Sequence, residues 1–355
     1  MTRNAFSSFS AFTALLALAV VMLGAYVRLS DAGLGCPDWP GCYGHLGVPS
    51  TEQAIAEANA SYPHRKVETD KAWKEMAHRY LAGTLGLCIL LLAVLAWRNR
   101  TRAGIPVVLP TLLLGLVVFQ ALLGMWTVTL LVNPTIVTAH LIGGITTLAL
   151  LWWMALRAWR ALPASPTPPP LARLRGWAWG GLALVVAQIF LGGWTSTNYA
   201  ALACTEFPTC YGGLWWPETD FREGFTLWRE LGVHYEFGVL DSAARTAVHI
   251  AHRIGALVVL LYVGVLAALA VARSEHWVHR ATGSAIGAAL LLQVGLGIEN
   301  ILGQLPLGNA VAHNGVAALL LLGLITLIQL LTPVTAEAFQ DLTRTTAGQR
   351  LGDHT

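Results

Sequence analysis

Eight apolar runs of about 20 residues punctuate the chain, at residues 10–29, 76–97, 105–127, 135–157, 175–196, 244–272, 281–301 and 307–332. Each is long enough for a helix to cross a hydrocarbon core of roughly 30 Å. A backbone in that medium must satisfy its own hydrogen bonds, so the pattern predicts an all-α polytopic membrane protein with eight transmembrane helices. Two long polar stretches, 30–74 and 197–243, follow the first and fifth runs, and the remaining connections are short. Composition agrees: 55% of the 355 residues are hydrophobic, 12% are charged and the mean hydropathy is +0.58, which excludes a soluble enzyme of this length.

Charge then gives the orientation. Arg98, Arg100 and Arg102 follow the second run, Arg157, Arg160, Arg173 and Arg175 flank the loop after the fourth, and Arg273 and Arg280 bracket the loop after the sixth. The positive-inside rule makes these loops cytoplasmic, with both termini inside and the two long polar stretches outside. Arg3 before an apolar core resembles a signal sequence, but "GAYVRLSDAG" offers no small-x-small cleavage site, so the first helix is expected to stay. The net charge of +3 reflects this topology and gives no reason to expect nucleic acid as a partner. Membrane lipid is the expected surround.

The chain also repeats itself. "CPDWPGCYG" at 36–44 returns as "CTEFPTCYG" at 204–212, an offset of 168, and "AHR" at 77–79 returns at 251–253, an offset of 174. Gln120, Gly124 and His140 answer Gln293, Gly297 and His313 at an offset of 173. Each half therefore holds four helices. Four is even, so the halves enter the membrane in the same sense, as a parallel repeat of two four-helix bundles related by a pseudo-two-fold along the membrane normal. The expected division is an N-terminal bundle over 1–160, a Pro-rich cytoplasmic linker over 161–172, a C-terminal bundle over 173–335 and a cytoplasmic tail over 336–355.

Of eleven histidines, four fall inside the apolar runs at matched places: His78 and His140, then His252 and His313. Runs two and four both enter from outside and carry their histidine within the first turn or two, so the rings face each other at similar depth. Runs six and eight repeat this. Two histidines approaching a flat space from opposite sides are the axial ligands of a haem iron. A lone intramembrane histidine is ordinarily an interhelical hydrogen-bond donor, but four in two symmetric pairs argue for ligation. Structural zinc would need Cys or carboxylate partners that neither pair has. Arg79 and Arg253, beside two of the ligands, stand where haem propionates would emerge, or else snorkel at helix ends.

Glu75 lies three residues before His78 and shares its helix face, whereas the matched position before His252 is His249. One carboxylate beside one pocket suggests that one half holds a fixed cofactor while the other performs chemistry, Glu75 moving protons or stabilising positive charge. The alternative is a solvated residue favoured by the helix dipole. Cys36 with Cys42 and Cys204 with Cys210 suggest a disulfide within each outer loop, structural or cycling with an external thiol protein. Cys88 reads as a packing residue. His45, His64, His234, His276 and His279 read as solvated surface, Trp39, Trp73, Trp215 and Trp216 as interfacial anchors, and Gln120 and Gln293 as bridges between helices.

"GAYVRLSDAGLGCPDWPGC", "EMAHR", "TAHL", "AHRIGAL" and "VAHNG", in this order across eight helices, resemble the haem A synthase family over roughly residues 10–332. The resemblance implies oxidation of the methyl group at pyrrole carbon 8 of haem O to a formyl group, through successive hydroxylations and a gem-diol that loses water, to give haem A for aa3-type cytochrome oxidases. It makes His78 and His140 the ligands around the substrate, His252 and His313 the ligands of a haem B cofactor, and Glu75 the carboxylate implicated in catalysis. Haem O synthase and an electron donor become expected partners, and the cytoplasmic membrane of a bacterium the expected location. Cys36 and Cys42 match the family's outer-loop pair. The second pair is one that many relatives lack, which leaves a link between the two loops open. The competing readings are a di-haem b-type cytochrome, which calls for haems at two depths, and a haem carrier, which has no use for Glu75.

Overall fold

The computed structural model describes residues 3–101, 105–159 and 173–332. The expected linker at 161–172, the tail at 336–355, Arg102 and Arg160 lie outside the described residues. Among the described residues ten helices form: α1 (Arg3–Leu29), α2 (Glu52–Ser61), α3 (Thr69–Arg98), α4 (Val108–Thr129), α5 (Pro134–Trp159), α6 (Leu174–Thr197), α7 (Phe221–Gly224), α8 (Ser242–Ala272), α9 (Trp277–Leu302) and α10 (Leu307–Leu330). All but α2 and α7 are long and apolar enough to cross a membrane, which makes eight spans among the described residues. No strand forms among those residues, only isolated bridges at Cys42 with His45 and Tyr211 with Leu214.

Local chemistry sets the ends of the helices. α5 opens on Pro134, whose missing N–H is no loss in a first turn, and the Asn133 side chain accepts from the Thr135 amide at 3.1 Å. α8 is capped by Asp241, which accepts from Ala244 N at 2.8 Å. α3 carries Asp70 in its first turn and Arg98 in its last, each sign matching the helix dipole. The short turns before α5 and α10 use the same backbone twice, with Leu131 and Val132 in one and Gln304 and Leu305 in the other at positive φ.

Two helices start earlier than the hydrophobic pattern implied. α3 begins at Thr69 and α8 at Ser242, so His78 lies nine residues into its helix and His252 ten, roughly 14–15 Å from the start. The expectation of a histidine in the first turn or two fails there because both helices continue outward through polar residues. His140 and His313 each lie six residues in. The first long polar stretch also contains α2, capped by Thr51, which accepts from Ala54 N at 3.2 Å.

Within the first half, α1 packs on α3 and α5, and α4 on α3 and α5, closing a ring in which α3 and α5 stand diagonally. The second half closes the same ring, with α6 and α9 each packing on α8 and α10. The halves join where α1 meets α10 and where α5 meets α6 and α10. Ile89, Leu92, Leu148, Leu151, Leu266 and Leu324 belong to one continuous core that spans both halves. Leu87, Leu122, Leu257, Leu261 and Leu291 point outward, as the lipid-facing side of a membrane bundle requires.

At the outer end the long loops tie the halves together. Arg65 grips Glu236 through two bonds of 2.8 and 3.1 Å, Arg28 stacks on Tyr199 at 4.3 Å, and the Arg28 guanidinium donates to the Ser196 carbonyl at 2.7 Å.

Candidate haem-binding and catalytic site

The four intramembrane histidines sit at the diagonal corners of the two rings. His78 on α3 and His140 on α5 are close enough to interact electrostatically, as are His252 on α8 and His313 on α10. Diagonal helices do not pack on each other, so a pair approaches across the middle of its bundle. The other two helices of each ring flank the space between the rings.

Each ring is laid against a glycine on a flanking helix. A Cβ at Gly24 would stand 2.9 Å from His78 Cε1, one at Gly124 3.4 Å from His140 Cε1, one at Gly192 3.3 Å from His252 Cε1 and one at Gly297 3.2 Å from His313 Cε1. At Gly24 an added carbon would force the imidazole to move, whereas at Gly124 it would come only to contact. Nδ1 of His78, His140 and His313 is buried with no hydrogen-bond partner among the described residues, a costly state for a polar atom. Nδ1 of His252 meets Gln188 Nε2 at 3.0 Å. No group of three or more His, Cys, Asp and Glu that would hold a metal ion forms among the described residues. Paired, half-buried imidazoles with under-satisfied buried nitrogens fit an iron that takes two histidines and draws its other ligands from a porphyrin.

Glu75 is buried, at 4% exposure, and is held on two sides. Its Oε2 accepts the Cys36 amide at 2.8 Å, and its Oε1 pairs with Arg79 Nη2 at 2.5 Å. Arg79 Nη1 donates to the carbonyls of Asp38 and Gly41 at 2.9 and 2.5 Å. In the second half the His249 ring meets the Ala200 carbonyl at 2.8 Å, and Arg253 donates to the carbonyls of Thr209 and Glu206 at 2.9 and 2.7 Å. Both arginines therefore staple a disulfide loop onto a helix. The disulfides close within each loop, Cys36 to Cys42 and Cys204 to Cys210, with Cα atoms 4.8 and 4.3 Å apart. The bond between the two loops that the second cysteine pair left open does not form.

The COX15-CtaA family, described as cytochrome oxidase assembly proteins, matches residues 7–325, which take in all four histidines, Glu75 and both loops. The chain belongs to that family. A Shewanella oneidensis protein named heme A synthase is 44% identical over 316 residues, covering 89% of this chain and 93% of that protein. Heme A synthase of Caulobacter vibrioides is 30% identical over 331 residues, covering 87% and 90%. One from Halalkalibacterium halodurans is 30% identical over a shorter 213 residues, covering 59% and 65%. The resemblance drawn from the motifs is thus borne out.

Three features of this family member were not singled out in the sequence. Asp38 and Glu206, each two residues after a first cysteine, cap their loops: Asp38 accepts from the Tyr43 and Gly44 amides and Glu206 from those of Gly212 and Gly213. The Gly213 amide, the Thr209 hydroxyl and the Gly212 amide together hold the Glu206 carboxyl below the usual carboxylate range. The third is Gln188, whose Nε2 also donates to the His252 carbonyl at 2.9 Å. A repeated Gln-x-x-x-Gly, at Gln120, Gln188 and Gln293, was the available signal. Among the other histidines, His234 lies 3.7 Å from Glu236, and the rings of His276 and His279 lie tilted against each other with centroids 6.0 Å apart. Two apolar crevices between α5 and α6, lined in common by Ile142, Leu182 and Val186, touch none of the four histidines.

Proposed function

We propose that the protein is a haem A synthase, an oxidoreductase that converts the carbon-8 methyl of haem O to a formyl group in the cytoplasmic membrane of a bacterium. The observation that supports this best is the pair of matched histidine diagonals, alike in ligands and glycines and different in the carboxylate Glu75. His78 and His140 hold the substrate haem O in the first half. His252 and His313 hold haem B in the second, which supplies one-electron transfer when bound. Arg79 and Arg253 stand at the level of the propionates, with their guanidinium groups already fixed on loop carbonyls. Both termini face the cytoplasm and both disulfide loops face outward.

The residues divide the work by position. Histidines on diagonal helices fix a planar substrate across the bundle, and the apolar walls keep water from it. Glu75, buried beside the first pair and oriented by the Cys36 amide and Arg79, holds a negative charge or takes a proton near the ring edge. Haem O arrives from the enzyme that makes it, and electrons are exchanged with a membrane redox partner. Coexpression with a haem O source tests the reading: extracted haem should shift from haem O to haem A by chromatography and mass. Protein that holds haem but leaves haem O unchanged, with oxygen and an electron supply present, would favour a carrier or cytochrome.

A further inference from the structure

Each disulfide loop ends in a tight hairpin, turning on Gly44 in the first half and on Gly212 and Gly213 in the second, all at positive φ. The Cys42 amide donates to the His45 carbonyl at 2.8 Å, and the Cys210 amide to the Leu214 carbonyl at 2.8 Å. Just past each closing bond stands a large apolar side chain turned outward, Leu46 at 89% exposure and Trp215 at 70%. A single exposed apolar residue needs no explanation, but the same arrangement built twice in one chain does. The hairpins lie beside the helices: the Tyr80 hydroxyl donates to the Leu46 carbonyl at 2.8 Å, and Arg79 and Arg253 reach carbonyls inside the two loops. Tyr80 belongs to a stripe on α3, with Trp73, Leu87 and Val94 at intervals of seven residues, that is exposed along the helix and faces away from His78. The apolar run of α3 begins at residue 76, so Tyr80 lies roughly 6 Å inside it. Its side chain leans back toward the helix N-terminus, which brings Leu46 to the outer edge of the hydrocarbon.

We propose that the tips of both disulfide hairpins, Leu46 in the first half and Trp215 with Trp216 in the second, seat in the outer leaflet of the membrane, their partner being the boundary between lipid headgroups and acyl chains. The surface they form continues the lipid-facing stripe of α3 through Tyr80. Nothing charged stands in the way, because no Asp, Glu, Lys or Arg occurs between Asp38 and Glu52 or between Glu206 and Glu218. Asp38 and Glu206 themselves turn back onto amides of their own loops. A face built for a soluble protein would carry a polar rim, whereas tryptophan and tyrosine beside leucine suit the interfacial belt of a bilayer. Lipid then holds each hairpin at its tip while an arginine holds it at its base. In the first half that hairpin carries the Cys36 amide on which Glu75 is seated, so the bilayer helps to fix the carboxylate. The proposal is independent of which haem either half holds.

Photocrosslinking tests this on the full-length protein in nanodiscs of phosphatidylethanolamine and phosphatidylglycerol. A benzophenone side chain introduced in place of Leu46 or Trp215 should give, on illumination, an adduct with the mass of a phospholipid. The same probe in place of Leu87, on the lipid-facing stripe, should do likewise, and in place of Glu57, on the exposed face of α2, it should not. Absence of the lipid adduct at both tips, with labelling intact at position 87, would overturn the proposal. So would a crosslink from the tips to another protein, in place of lipid, when native membranes are illuminated. Leu46→Asp gives a second reading should the bulky probe unfold a hairpin. Because Leu46 touches little of the protein, a charge there acts mainly by expelling the tip from lipid, and amide exchange over residues 42–47 in the same nanodiscs should quicken by about tenfold or more. Unchanged exchange would mean that the tip stands in water and would equally overturn the proposal.

Discussion

In the first half, the side chain three residues before the α3 histidine is a carboxylate that accepts the Cys36 amide and pairs with Arg79. In the second half it is an imidazole that meets the Ala200 carbonyl, and Arg253 is held by carbonyls and the Phe207 ring, with no carboxylate paired to it among the described residues. The same scaffold thus carries a neutral Glu75–Arg79 pair on one side and an uncompensated arginine on the other. The four intramembrane histidines, the glycines beneath them and the disulfide loops are matched. On the proposed reading, a buried carboxylate present in one copy and absent from the other marks the copy that has to react, because a site that only holds its cofactor has no need of that charge.

The sharpest way to break this comparison is to remove the ligands one at a time. His252→Ala or His313→Ala should strip the haem B that copurifies, with loss of most of the absorbance. His78→Ala or His140→Ala should spare that haem and abolish conversion of haem O. Equal loss of one and the same haem in all four variants, measured by pyridine haemochrome, would end the division of labour between the halves.

Next in size is Glu75→Gln. The amide can still accept from Cys36, so α3, the loop and the ligand pair should persist with haem content unchanged. The charge facing Arg79 and the proton acceptor are lost, in a site shielded from water where such groups count for more. Turnover should fall by about a hundredfold, as for loss of a general acid–base group, and haem bearing the alcohol should accumulate if the second oxidation suffers more. His249→Gln is the mirror control and should leave turnover nearly unchanged. Near-normal haem A production by Glu75→Gln at matched protein level would reduce Glu75 to a loop staple.

A smaller effect separates the two proposed ligands of the first half. Adding a methyl at Gly24 brings carbon to 2.9 Å from the His78 ring, whereas at Gly124 the gap to His140 is 3.4 Å, near ordinary contact. Overpacking costs about 1–3 kcal/mol, so Gly24→Ala should weaken haemin uptake in the first half by about tenfold and Gly124→Ala much less. Equal losses in a haemin titration would show that the glycines do not set the ring positions.

The spans and the pairing of the four histidines were legible in the sequence because membrane helices must be apolar throughout and the repeat set the histidines in register. Their depth was less so. Hydropathy reports where α3 and α8 enter lipid, not where they begin, so the polar turns from Thr69 and Ser242 went unread and Glu75 appeared to sit at a helix mouth. In the structure it is buried beneath a loop. Its partner, the Cys36 amide, is a backbone group that carries no sequence signal, and the carbonyls gripped by Arg79 and Arg253 are equally silent. Gln188 was visible as a pattern but has no counterpart in the first half, where Val20 stands, so matching residues between the halves passed over it.

The smallest expected effect concerns the joint between the halves at their outer ends. Arg65 from the first outer loop holds Glu236 from the second, with side-chain exposures of 23% and 9%. Burial pushes the Glu236 carboxyl up, but the hydrogen bonds and charge of Arg65 outweigh it and hold it below the usual range. A carboxyl with a depressed folded-state value adds stability above its unfolded value, and that stability is lost as pH falls through the folded one. The clamp should therefore be fully present at neutral pH and fade only on strong acidification, below the ordinary carboxylate range. Because the pair is partly solvated and screened, its worth is about 1 kcal/mol or less. Arg65→Ala should lower the melting temperature of the detergent-solubilised protein by a few degrees at neutral pH, with the gap to wild type closing near pH 3 and haem content unchanged throughout. A gap that persists in acid would mean that Arg65 acts through packing of its stem rather than through its charge, and a loss of haem would mean that the outer joint reaches down to the ligands.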